Sequence, residues 1–201
     1  MGNKVYLFDF DGTLTTRDTL LAFIIYAKGA CRFWLGLLLY SPLLVMMKLH
    51  LYSNGKAKQK VFAHFFKGID IEKFDQLCHS FAQDHRGRLL RPLGLAEMQH
   101  ALEDGAHVFV VSASIDNWVC PFFETLPQGS PHVVGTQIET KEGVVTGRFL
   151  TPNCFGAEKV RRIKALLPQP RSTYYIAAFG DSRGDKEMLS YADEAHYKPF
   201  R

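Results

Sequence analysis

Hydrophobic and polar positions change rhythm twice along this chain. Residues 4–9 (KVYLFD) are a short apolar run ending on a carboxylate, the pattern of a buried strand. Residues 18–29 (DTLLAFIIYAKG) are apolar at helical spacing, with Asp18 placed as N-cap and Gly29 as stop. Residues 33–47 (FWLGLLLYSPLLVMM) then carry no charge. Ser53-Asn54-Gly55 reads as a turn, and 56–67 and 70–85 read as two amphipathic helices. Everything from about residue 15 to 86 is therefore expected to be helical. Beyond it the texture alternates. A helix over 93–104, ended by Gly105, precedes a Val-rich buried strand over 107–114 (HVFVVSAS) and a helix over 116–126. Residues 135–149 alternate around Lys141-Glu142-Gly143 and predict a β-hairpin. A helix over 157–167, a buried strand over 174–182 (YYIAAFGDS), a short helix over 186–192 and a last strand or tail in EAHYKPF complete the chain.

Alternation of strand and helix in the first 15 and last 110 residues predicts an α/β fold, a Rossmann-like parallel sheet with helices on both faces. The expected division is an α/β core from residues 1–14 and 87–201, with residues 15–86 inserted as a small all-helical domain. The 201 residues are 47% hydrophobic and 13% aromatic, with 16 Phe, which supplies a core and excludes disorder. A net charge of +4 is mild and gives no basic stripe, so a nucleic-acid partner is not expected. Cys31, Cys78, Cys120 and Cys154 form no CxxC pair and no zinc spacing. Such scattered cysteines fit a reducing, cytoplasmic compartment, and Asp9 and Asp11 interrupt the first apolar run where a signal peptide would need continuity. The composition says nothing about oligomeric state.

Three apolar strands end in polar clusters: Asp9-Phe10-Asp11-Gly12-Thr13, Ser112-Ala113-Ser114 and Gly180-Asp181-Ser182. In a parallel α/β sheet, ligands bind at the carboxyl ends of strands. Brought to one edge, these clusters would crowd three or four carboxylates, and a hard divalent cation relieves their repulsion. Oxygen ligands of this kind suit Mg2+ with a substrate phosphate in its shell. Lys159, near the start of its helix, would answer the phosphate's remaining charge. Asp9 and Asp11 lie two apart and share a side if the strand continues. One can then attack phosphorus while the other handles the leaving-group proton, and carboxylates do form aspartyl phosphates.

The same residues resemble the four motifs of phosphatases of the haloacid dehalogenase superfamily. The first, DxDGT, matches Asp9, Asp11, Gly12 and Thr13; the second matches Ser112 in VFVVS; the third matches Lys159; the fourth, GDSxxDxxM, matches Gly180, Asp181, Ser182, Asp185 and Met188. Within that superfamily the helical insert resembles the small cap of subfamily IB, the phosphoserine-phosphatase-like branch, and its long apolar run resembles type C phosphatidylglycerophosphatases. The resemblance implies Asp9 as nucleophile and metal ligand. It implies Asp11 as general acid and then base, with its backbone carbonyl on the metal, and Asp181 as the second carboxylate ligand. Ser112 and Lys159 would bind phosphoryl oxygens, Thr13 would brace the loop into the cap, and Asp185 would hold Lys159 or a water of the metal's shell. Asp18 falls where that branch has an acidic substrate-binding residue, with Asp here in place of Glu.

Plainer readings stand beside these. Ser112 can cap a following helix, and Ser114 is read that way. Lys159 can be one solvated charge among Arg161, Arg162 and Lys164; Asp185 can pair with Lys186 or Arg183 in a surface loop; Asp18 can do no more than cap its helix. The segment 33–47 is shorter than the roughly 20 residues that span a bilayer, and Pro42 interrupts it. Pro42 favours a helical hairpin packed on itself and the core. Against that, Lys28, Arg32, Lys48, Lys56, Lys58, Lys60 and Lys67 face one acid, Asp70, between residues 20 and 70. An interfacial segment over 33–60 contacting an anionic membrane is therefore the competing expectation. The expected activity is a magnesium-dependent phosphomonoester hydrolase acting on a small organic or amphiphilic phosphate. A membrane-associated lipid-phosphate phosphatase and a phosphoserine phosphatase are its alternatives. A signalling receiver domain fits less well, since receivers have no helical insert.

Overall fold

A computed structural model describes residues 3–49 and 51–201. His50, within the expected membrane segment, and the first two residues of the expected core lie outside the described residues, as does the side chain of Lys48. Among the described residues, five parallel strands form one sheet in the order β3-β2-β1-β6-β7: β1 is Asn3–Phe8, β2 His107–Ile115, β3 His132–Thr136, β6 Tyr174–Gly180 and β7 Glu194–Tyr197. β1 is central because it is apolar on both faces. Val5 and Leu7 pack with Val111, Ile163, Ile176 and Met188 on one side, and Phe8 joins Val110, Ala177 and Phe179 on the other. A strand covered on both faces reads as continuous rather than alternating hydrophobicity. The α/β expectation is met.

After β1 the chain makes one irregular turn and leaves the sheet. Thr16 N donates to Leu89 O at 2.9 Å and Arg91 N to Leu14 O at 2.7 Å, so the outgoing and returning segments run side by side. Between them lie α1 (Thr19–Lys28), α2 (Ala30–Lys48), α3 (Asn54–Phe66) and α4 (Ile71–Leu89). α4 is unbroken through residue 86, and the return crossing falls at Leu89 and Leu90. Asp18 caps α1 and Gly29 ends it with φ 82°, as the spacing predicts. Phe23, Phe62, Phe66, Phe74 and Phe81 form an aromatic core that reaches Trp118, with Phe23 and Trp118 stacked at 5.1 Å.

α5 (Pro92–Glu103) leads back into β2, and α6 (Asp116–Val119) follows it. α6 is one turn plus a short tight turn over Cys120–Phe122, not the helix expected to 126; Pro121 lacks the amide that would continue it. The expected hairpin is β4 (Ile138–Lys141) and β5 (Val144–Phe149), turned by Glu142 at φ 52° and Gly143 at φ 76°. It starts later than expected, because Gly135 and Thr136 belong to β3. The hairpin reaches back to the inserted helices. Val145 N donates to Ile69 O (2.9 Å), Gly68 N to Val145 O (2.9 Å) and Ile71 N to Gly143 O (2.8 Å). The α3–α4 corner is thus held to the hairpin like a third strand. α7 (Ala157–Leu166) and α8 (Lys186–Tyr191) cover the other face of the sheet.

Three expectations fail in the helical block. Ser53-Asn54-Gly55 is not a free turn; Asn54 and Gly55 are already in α3. Pro42 does not interrupt the apolar run, because α2 is one helix through it. Proline removes the amide that would bond Leu38 O, and the Ser41 hydroxyl donates to that carbonyl instead, at 2.8 Å. Nor is α2 packed away as a hairpin: of its 18 residues from Ala30 to Met47 only 11% are buried, and Leu35 and Leu38 are 68% and 73% exposed. By length and composition it is apolar enough to cross a bilayer.

Candidate active site

The ends of β2, β1 and β6 are neighbours in the sheet, so the three polar clusters meet at one edge. Asp9, just past β1, is buried. Its Oδ1 accepts from Lys159 Nζ at 2.6 Å and its Oδ2 from the Thr13 hydroxyl at 3.0 Å. Lys159 comes from the first turn of α7 and is 1% exposed. Its other two protons go to Asp185 Oδ1 and Val111 O, each at 2.7 Å. The solvated-lysine reading is therefore excluded; Arg161 and Arg162 pair with Glu158 instead. The surface-pair reading of Asp185 fails likewise, since Asp185 is 1% exposed. Its Oδ2 accepts from Ser182 Oγ (2.7 Å), Ser182 N (2.9 Å) and Asp181 N (3.2 Å).

Burial pushes the Asp9 carboxyl up to about 7, helped by Asp185 and Asp11 and opposed by Lys159. Burial also works against the Lys159 ammonium, but Asp9 and Asp185 outweigh it and hold Lys159 above the usual amine range. At Asp185 burial acts upward, and Lys159 with the Ser182 donors brings the carboxyl below its usual value.

Asp181 follows β6. Among the described residues its buried Oδ1 has no hydrogen-bond partner, while Oδ2 meets the Arg201 guanidinium. One oxygen each from Asp9, Asp181 and Asp185 lie within 4.8 Å of one another. Asp185 accepts from four donors and Asp9 from two, while Asp181 Oδ1 accepts from none, so Asp181 and then Asp9 have the capacity to spare. Gly12 makes their approach feasible. It sits at φ 82°, and a Cβ there would fall 2.6 Å from Asp181 Oδ2. An unpartnered buried carboxylate oxygen beside a second carboxylate fits a hard cation with oxygen ligands.

Asp11 stands outside that carboxylate group. Its Oδ1 accepts from Thr19 N (2.7 Å) and Thr19 Oγ1 (2.6 Å), and its Oδ2 contacts Ser114 Oγ at 2.5 Å. Ser114 is therefore no helix cap: Ile115 occupies the cap position of α6, with no side-chain bond. Ser112 is fully buried and its hydroxyl accepts from Ser114 N at 3.0 Å. Thr19 and Ser114 were not singled out as site residues. The signals existed: Ser114 is two residues past Ser112 and so on the same side of β2, and Thr19 opens a helix eight residues after Asp11. Thr19 is itself fixed by Trp118 Nε1, which donates to its hydroxyl at 3.2 Å. Asp18 does cap α1, accepting from Leu20 N (2.9 Å) and Leu21 N (3.3 Å). Its side chain also lines a cleft with Lys58, so the capping role does not remove it from the site.

A model of the haloacid dehalogenase-like hydrolases matches residues 6–190. The chain belongs to that family. Among relatives of this haloacid dehalogenase-like hydrolase, Protein CicA of Caulobacter vibrioides is 35% identical over 205 aligned positions, covering 100% of this chain and 89% of the relative. A protein of unknown function from Bordetella pertussis Tohama I superposes with a TM-score of 0.79 at 19% identity, over 94% of this chain and 87% of that one. A phosphoserine phosphatase solved as a phospho-aspartyl intermediate analogue superposes with a TM-score of 0.59 at 20% identity, over 96% and 84%. These two likenesses show that the hydrolase shares their fold.

Proposed function

We propose that this hydrolase is a magnesium-dependent phosphomonoesterase that works through a phosphoryl group on Asp9. In this reading residues 1–14 and 87–201 are the catalytic core and 15–86 the cap. The observation that carries it is the buried Lys159 ammonium bound between Asp9 and Asp185, beside Asp181 with its unpartnered oxygen. Asp9, Asp181 and the main-chain carbonyl of Asp11 would hold magnesium, which when bound neutralises the carboxylates and polarises a phosphoryl oxygen. Lys159 and Ser112 would receive the remaining phosphoryl oxygens. Asp9 then attacks phosphorus in line: the bond from its carboxylate oxygen forms as the ester bond breaks, and Asp11 protonates the leaving alcohol. In the second half Asp11 takes a proton from the attacking water, phosphate leaves and Asp9 is regenerated. Ser114 suits both states of Asp11, since a hydroxyl donates to a carboxylate and accepts from a carboxylic acid. Thr19 keeps Asp11 aimed throughout. Phosphoserine phosphatase of known fold supports the covalent route by likeness, through its phospho-aspartyl intermediate analogue. A phosphate-release screen with Mg2+ over lipid, amino-acid and sugar phosphates tests the proposal. Release by the wild type and its loss in Asp9→Asn is expected; equal release by Asp9→Asn would overturn it.

A second reading is favoured by α2 alone. Trp34, Leu35, Leu38, Leu39 and Val45 are exposed on it, with Lys28 and Arg32 near one end. In this reading α2 lies in the headgroup region of an anionic membrane. Co-sedimentation with phosphatidylglycerol vesicles at low salt, lost on charge reversal at Lys56, Lys58 and Lys60, is the expected result. No association at low salt would exclude it.

A further inference from the structure

A cleft of about 860 Å3 lies between α1, α2 and α3, a volume within the range of small-molecule sites. Its walls are apolar: Ile24, Phe33, Leu37, Leu44, Val61 and Phe65. One end is polar, with Lys58, Arg183 and Lys186 set against Asp18 and Glu187. That end adjoins the carboxylate cluster, because Asp18 precedes the Thr19 that holds Asp11, and Arg183 follows the Ser182 that holds Asp185. At Gly36 a Cβ would come within 2.3 Å of the Phe65 ring, so α2 and α3 meet there backbone to ring and close the floor of the cleft. The α3–α4 corner is bonded to the β4–β5 hairpin, so the cleft opens on the other side of α3 from that junction.

We propose, resting on the phosphomonoesterase reading, that this cleft holds the apolar tail of the substrate. The substrate class is then a phosphate monoester carrying one hydrocarbon chain. Its phosphate sits at the carboxylate cluster, the ester oxygen passes Asp18 and Lys58, and the chain runs between α2 and α3. Leu37, Leu44, Val61 and Phe65 set the chain length that fits. Net positive charge at the mouth and an apolar interior complement an anionic head and an alkyl tail, and they do not complement a sugar phosphate or phosphoserine.

The test is a series of n-alkyl phosphates from ethyl to dodecyl, each kept monomeric, assayed with Mg2+ for kcat/KM. In parallel, binding of the same compounds to Asp9→Asn is measured by calorimetry. The wild type is expected to gain about two- to fourfold in kcat/KM per methylene, the transfer of one CH2 from water, up to a plateau. Leu44→Trp and Leu37→Trp should each bring the plateau to a shorter chain. A flat series in a wild type that hydrolyses every member overturns the tail site and leaves the phosphomonoesterase reading standing. No turnover with chain-dependent binding supports the tail site and removes the phosphomonoesterase reading. Neither turnover nor chain-dependent binding overturns both. A further arm presents dodecyl phosphate in phosphatidylcholine vesicles. A chain-length effect confined to vesicles, and indifferent to Leu44→Trp, would assign the preference to the membrane surface and overturn the cleft.

Discussion

Lys159→Met removes one ammonium and keeps the length of the side chain. In the protein that ammonium makes three short bonds, to Asp9, Asp185 and Val111 O. Removing one partner of a buried ion pair costs about 3–5 kcal/mol. Here the lower end applies, because Asp185 keeps three donors on its other oxygen and Asp9 keeps Thr13. A loss of about 3 kcal/mol lowers Tm by roughly 6–12 °C in a chain of this size. The pH dependence follows from Asp9. With Lys159 in contact its carboxyl is already up to about 7, against about 3.9 in an unfolded chain. Without the ammonium it rises further. Above that raised value the variant carries the full penalty of a buried charge. As pH falls through it, folded Asp9 gains a proton that the unfolded chain does not yet bind, and the deficit shrinks. Well below about pH 7 Asp9 is protonated in both proteins and the difference levels off. Thermal and urea unfolding in EDTA at alkaline and mildly acid pH read this directly, and kcat/KM should fall by at least roughly a hundredfold. Unchanged stability, or a deficit that grows toward acid, would refute the claim that Lys159 neutralises Asp9.

Gly12→Ala places a Cβ 2.6 Å from Asp181 Oδ2 at a positive φ, so Mg2+ affinity by calorimetry should fall at least about tenfold, with roughly 1 kcal/mol lost in stability. Thr19→Val takes the hydroxyl from Asp11 and leaves Trp118 Nε1 unsatisfied. Urea unfolding should show about 1–3 kcal/mol lost, kcat should drop, and Thr19→Ser should restore both. Pro42→Ala returns an amide to Leu38 O in an exposed helix and should stabilise by about 1–2 kcal/mol, less than the full proline penalty because Ser41 already serves that carbonyl; a lower Tm would contradict the account of α2.

Much of the fold was legible because local signals and burial agree. β1 and β6 are continuous apolar runs, since parallel strands are covered on both faces, and Asp18 and Gly29 bracket α1 by capping chemistry that depends on neighbours alone. The turn at Glu142 and Gly143 was legible for the same reason, as both positions take positive φ. β3 was not: HVVGT is an edge strand of five residues that runs almost directly into the hairpin, so its boundary depends on pairing with β2. α2 misled because proline was weighed by its own backbone, whereas the freed carbonyl found a partner one residue before it. In the site, Asp9 and Asp181 could be named because strand ends converge in a parallel sheet, and Lys159 because it opens a helix and matches the third motif of the resemblance. Thr19 and Ser114 carried only faint signals, a helix start and a two-residue step along β2, because what makes them site residues is their bonds to Asp11 across eight and 103 residues.

The central claim is that Asp9 carries the phosphoryl group during turnover. The most direct measurement is acid quench of the enzyme with Mg2+ and an alkyl phosphate in steady state, followed by peptide mass spectrometry across residues 5–15. A phosphoryl adduct on Asp9, labile to hydroxylamine and absent from Asp9→Asn, is the result expected. Sustained phosphate release with no adduct, or with undiminished release by Asp9→Asn, would contradict it.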